Sequence, residues 1–134
     1  MFLYLLNENE GMAFMELAVQ AMTINNKNQG YEEAECETYL TELNIPQYKI
    51  QGLPFADAAA VLKQSTTQIK RCVIIELCGI LYSDKEIDKN EMEWIYSLSE
   101  IFELAKTETD RLIRWSKDFS DFLEVGLMYI NAKA

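Results

Sequence analysis

Histidine is missing from all 134 residues. With it go the commonest general base and the commonest transition-metal ligand, so many enzyme classes are set aside at once. Positive charge is scarce: 12 Lys and Arg stand against 22 Asp and Glu, a net charge of −10. A protein that neutralises phosphates needs the opposite balance, which makes nucleic acid a poor partner. The three cysteines, Cys36, Cys72 and Cys78, are odd in number and lack CxxC spacing, so they read as reduced, buried thiols and not as a disulfide framework or a thiolate metal site. Long apolar runs are also lacking. The stretch 73–82 is broken by Glu76 and is too short to span a bilayer, and the run 2–6 has no basic region before it and is followed by Glu8 and Glu10, unlike a secretory leader. A cytoplasmic location is the resulting expectation.

What remains is helix. Hydrophobic residues make up 49% of the chain, enough for one domain over residues 1–134 to bury a core without staples. Met12, Met15, Val19 and Met22 recur at three and four and predict a first helix over residues 11–23, which runs out in the turn formers 25–30. Cys36, Leu40 and Leu43 restore the period on an acid-rich second helix ending near Asn44 and Pro46. A connector over about 45–53, flanked by Pro46 and Pro54 and holding Gly52, leads to a third helix over 55–63. Ser65 or Thr66 is placed to cap a fourth, apolar on nearly all sides and therefore central. Asp88 with Glu91 three residues on forms a capping-box pattern for a fifth helix. Thr107 with Asp110 repeats that pattern, and Asp118 or Ser120 is placed to begin a separate last helix, so that C-terminal helices fill 107–132. The fold class is an all-α bundle of about six to eight helices; the only strand candidate is the short run 2–6.

Superposing Glu16-Leu17-Ala18 on Glu76-Leu77-Cys78 aligns two polar loops and brings Glu35 onto Glu91, which suggests a duplicated helix-loop-helix unit: about 10–44, and a second unit at about 54–104. In the second copy, Glu76-Leu77-Cys78-Gly79-Ile80-Leu81-Tyr82-Ser83-Asp84-Lys85-Glu86-Ile87-Asp88-Lys89-Asn90-Glu91 resembles the signature of the tellurite-resistance TerB-like family. That signature is an apolar helix, an Asp-Gly-Glu-Ile-Asp type loop and a following Glu. The resemblance extends from about Glu10 to Trp115. It implies a compact helical module of bacterial stress-associated proteins, non-catalytic, with acidic residues that bind a divalent metal such as calcium or magnesium. The positions carried over are Asp84, Asp88 and Glu91, with Glu35 as the first-copy counterpart. Lys85 stands where the family has glycine, and Asn25 and Asn26 stand where it has Asp-Gly.

Each of these residues also has a plainer reading. Asp84 does not open an EF-hand, because the sixth position is Lys89 and the twelfth Ile95. Capping and the helix dipole suffice to explain Asp88 and Glu91. From residue 1 to 48 the acids Glu8, Glu10, Glu16, Glu32, Glu33, Glu35, Glu37 and Glu42 face only Lys27, which suits either a solvated surface or docking to a protein with a basic surface. Met12, Met15 and Met22 suit a binding groove or a core. Glu76, inside the apolar helix, requires a partner if buried, with Lys70, Arg71 and Tyr82 in reach along the chain. Two functions compete: a TerB-like module with a metal, and an acidic interaction domain of the immunity or inhibitor type with none.

Overall fold

In the computed structural model, which describes residues 1–25, 32–84 and 86–133 without the side chain of Asp84, several helix starts coincide with short polar side chains. Asn7 opens α1, Glu8–Asn25: its Oδ1 accepts from the Glu10 N–H at 2.8 Å, while Glu10 Oε1 accepts from the Asn7 N–H at 2.9 Å. This reciprocal cap satisfies two donors that a helix start leaves without partners, and it starts α1 three residues before the expected Gly11. After α2, Glu33–Glu42, and the connector, Pro54 precedes α3, Phe55–Lys63, where its missing N–H costs nothing. Thr66 Oγ1 accepts from the Ile69 N–H at 3.3 Å at the start of α4, Thr67–Leu81. A single 3-10 turn, Tyr82–Asp84, leads to the Asp88–Glu91 capping box that begins α5, Lys89–Ile101.

Three expectations are corrected towards the ends of the chain. Residues 2–6 form no strand: Leu3–Leu5 is a 3-10 turn that drives Leu3 wholly into the core. At the other end a break near Asp118 or Ser120 does not occur, and α6 is one helix, Lys106–Asn131. Ser, Asp and Thr cap a helix only where the backbone has already turned, and no proline stands in this stretch to turn it. Lys117 instead pairs with Asp121 one turn on at 2.9 Å, and Ser116 Oγ donates to the Leu112 carbonyl at 3.0 Å. The Thr107–Asp110 box is absent too, since Asp110 accepts from the Tyr96 hydroxyl and the N-cap residue is Ala105.

The described residues therefore form six α-helices and no strand, in agreement with an all-α bundle. Helix α4 packs against both α1 and α6, and α1 also packs against α3. The fully buried side chains come from most of the chain: Phe14, Leu17 and Met22 of α1, Leu62 of α3, Leu77 and Ile80 of α4, Ile95 of α5, and Phe102 beyond it. Met15 and Met22 are core, while Met12 is half-buried and lines a shallow pocket with Tyr48, Leu53 and Val61. Cys36, Cys72 and Cys78 are free and buried. Their thiols are pushed up, to about 11 for Cys36 and about 12 for Cys72 and Cys78, chiefly because burial penalises the thiolate.

Candidate functional site

The expected site residues do not share one environment. Glu91 is buried, 2% exposed, at the first turn of α5, and its Oε1 accepts from the Asp88 N–H at 3.0 Å. Its other oxygen, Oε2, accepts from the Asn25 amide at 3.0 Å in the amide orientation that satisfies both ends; Asn25 then also donates to the Leu81 carbonyl at 3.1 Å and accepts from Ser83 Oγ at 2.7 Å. The end of α1 is thereby tied to the loop between α4 and α5. Asp88 caps α5, its Oδ1 accepting from the Glu91 N–H at 2.8 Å. Glu35 is half-buried on α2 and accepts from the Tyr39 hydroxyl at 3.2 Å. Burial, reinforced by Glu35, raises the Tyr39 phenol above its ordinary range. Among the described residues no group of three or more acidic or thiol side chains is arranged to hold a metal ion. The Asp84 carboxylate, Lys85, Asn26 and the rest of the first loop lie outside the described residues.

A second buried carboxylate went unsuspected as a site. Glu16, in the middle of α1 and 2% exposed, accepts from three donors of the connector: the Tyr48 hydroxyl at 2.6 Å, the Gln51 N–H at 2.9 Å and the Leu53 N–H at 2.8 Å. Gln20, one turn on, donates to the Leu53 carbonyl at 2.9 Å. The extended connector has no helix or sheet of its own to satisfy its backbone, so α1 supplies the acceptors. Burial and the bond to Glu16 raise the Tyr48 phenol. A sequence signal existed: Glu16 interrupts a run of apolar residues in α1 at a position that the helical period sends inward.

Glu76 finds its partners at the start of the chain and not on its own helix. Its Oε1 accepts from the Phe2 N–H at 2.9 Å and lies 3.4 Å from the Met1 ammonium, which Glu42 holds at 2.7 Å. Arg71, offered by spacing as a partner, pairs with Glu108 instead. Beside Glu76 a shallow groove is walled by Phe2, Tyr39, Trp115 and Phe119, the last two stacked with ring centroids 5.3 Å apart.

One turn beyond Phe119, α6 carries a run of exposed large apolar side chains. No residue of α6 after Ser116 is buried, yet Phe122, Leu123, Val125, Leu127, Met128, Tyr129 and Ile130 are between 44% and 79% exposed. Phe119, Phe122, Leu123, Leu127 and Ile130 fall at the three- and four-residue spacing of one helical face, continuing the stripe with which Leu112 and Ser116 meet the bundle. The expectation of a separate last helix hid this, because it let those side chains fold back onto the core. No helix of the described residues is long and apolar enough to cross a membrane. Set beside known proteins, the chain matches no family model, no curated protein and no solved structure.

Proposed function

We propose that the chain is a non-catalytic interaction module, a TerB-like bundle in architecture, that docks another protein surface through the C-terminal half of α6. The observation that carries this reading is the run of seven large apolar side chains exposed on one helix. A contiguous apolar surface of several hundred Å² is rare on a protein that works alone and marks an interaction site. The polar edge of this half-helix carries Asp118, Asp121 and Glu124 against Lys117 alone, a net negative edge, whereas a helix that lies on an anionic membrane is rich in lysine and arginine there. A protein surface is the better match.

The test compares the chain with its Leu127→Asp, Ile130→Asp double variant in extracts of the source cells, read by native mass spectrometry after affinity capture. Both side chains are exposed, so the bundle melts at the same temperature in both. Assemblies larger than the 15.5 kDa chain are expected with the parent and lost in the variant. Free chain in both cases ends the reading.

The convergence of Asn25 on Glu91 favours a second reading, in which a calcium or magnesium ion joins the two loops through Asp84, Asp88, Glu91 and the Glu35 region, as in a stress-associated TerB-like protein. A thermal midpoint that rises with added calcium, magnesium or manganese, and no longer rises in Asp84→Ala, supports it. An unmoved midpoint with every ion removes it and leaves an acidic interaction domain of the immunity or inhibitor type.

A further inference from the structure

The apolar positions of the exposed half of α6 pair about Gly126 at one, three and four residues: Val125 mirrors Leu127, Leu123 mirrors Tyr129 and Phe122 mirrors Ile130, while Glu124 and Met128, two residues out, lie on the far side of the helix. Packing within the chain does not require Gly126: a Cβ added there meets nothing within 4 Å, and its backbone is ordinary helix that alanine would favour. On the wheel it falls at the centre of the apolar face. A glycine at that point lets a second backbone approach closely.

We infer that the occupant of this face is a second copy of the chain, its α6 antiparallel to the first with the two Gly126 residues at the crossing. The inference rests on the reading of α6 as a docking surface and names its partner. A two-fold axis through Gly126 brings Phe122 of each copy level with Ile130 of the other. Charge favours the antiparallel direction. Lys117 offsets Asp121 at 2.9 Å, but Asp118, Asp121 and Glu124 still leave the N-terminal side of Gly126 net negative while Lys133 lies on the other side, so antiparallel copies set the acidic end beside the basic one and parallel copies set acidic end on acidic end. In the antiparallel pair the two Asp121 levels are roughly 15 Å apart, beyond the screening length of about 8 Å at physiological salt, and Glu124, nearer the crossing along the axis, lies on the opposite side of the helix from Gly126. The area is sufficient: covering the exposed side chains removes on the order of 600 Å² per copy, about 1,200 Å² in all, the lower bound of specific interfaces.

The experiment is sedimentation of the full purified chain over concentrations from about 1 to about 100 micromolar, which brackets a weak interface at the low end of the specific size range. The expected result is conversion from the 15.5 kDa chain to a species of twice that mass. Leu127→Asp weakens the association at least roughly thirtyfold, as a charge buried without a partner must. Gly126→Leu weakens it as well while raising the melting temperature of the monomer, a pair of opposite signs that a merely structural role does not produce. For direction, Phe122→Cys and Ile130→Cys chains are treated with a short bis-maleimide; a mixture of the two links and neither links to itself, while the native cysteines are buried and leave little background. A chain that stays monomeric, a dimer indifferent to Leu127→Asp, or self-linking of Ile130→Cys each overturns the inference. If the purified chain is monomeric while assemblies in cell extract still depend on Leu127 and Ile130, the second copy is wrong and the docking reading stands. Loss of both removes both.

Discussion

Replacing Glu16 tests whether one buried carboxylate organises the connector. In Glu16→Ala three donors lose their acceptor: the Tyr48 hydroxyl, the Gln51 N–H and the Leu53 N–H. Hydrogen bonds to an ionised acceptor contribute roughly 1.5–3 kcal/mol each. They do not simply add, because Gln51 is exposed and recovers a water, and Tyr48 is half-buried and recovers part of one. The Leu53 N–H and the vacated side-chain volume make up the rest, and the sum is about 3–5 kcal/mol. Against a domain stability of about 5–15 kcal/mol this is a large share, and at about 4 °C per kcal/mol it lowers the melting temperature by roughly 12–20 °C. Glu16→Gln keeps the shape, but its NH2 group faces a donor where an acceptor is needed, and about 2 kcal/mol is lost. Urea unfolding followed by circular dichroism measures both, and amide exchange at Leu53 reports whether the connector is released first. The reasoning is refuted if both variants stay within about 0.5 kcal/mol of the parent, the range of an ordinary surface change.

Removal of the α5 cap separates its two members. Asp88→Ala costs about 1 kcal/mol, and Glu91→Ala costs more, about 2–3 kcal/mol, because its buried carboxylate also holds Asn25; urea midpoints that rank the two in the opposite order would count against the Asn25 contact. Glu103 follows α5 with φ of 60°, a left-handed conformation, and Glu103→Gly is expected to stabilise the chain by about 0.5–1 kcal/mol in the same assay despite the loss of its exposed pair with Lys63. Alkaline pH should unfold the protein. The thiols of Cys36, Cys72 and Cys78 ionise near 9.0 when unfolded but only at about 11 to 12 when buried, so the unfolded state binds fewer protons and stability, complete below pH 9, falls as pH rises from there through the folded values. A thiol reagent at pH 8 should label the three only as fast as the chain opens, and rapid labelling of folded protein would contradict their burial.

Much of the fold was legible from the chain because it is written in local terms. The α3 boundaries at 55 and 63, the Thr66 cap and the Asp88–Glu91 box depend on residues within one turn of each other, and each lies where spacing and capping placed it. The centrality of α4 was equally readable, since a helix apolar on nearly all sides has nowhere else to go. Local reasoning misled at Asp118 and Ser120, where cap-forming residues sit inside a continuing helix, and at Thr107 and Asp110, where Tyr96 takes the carboxylate. Each of these side chains has both a local and a distant use, and spacing alone shows only the first.

Composition and period by themselves determined the class of the molecule: helical, acidic, without histidine chemistry, its cysteines reduced inside. Tertiary structure alone decided which charges are buried and what they hold. Glu16 reaches the connector across 32 to 37 residues, Glu76 reaches the start of the chain across 74, and Asn25 meets Glu91 only because the ends of α1 and α4 converge. The same holds for α6, whose apolar period reads as a core-facing helix until the bundle ends beneath it. Hydrophobic periodicity says that a face seeks cover, and only the arrangement of the other helices says whether the chain itself provides it.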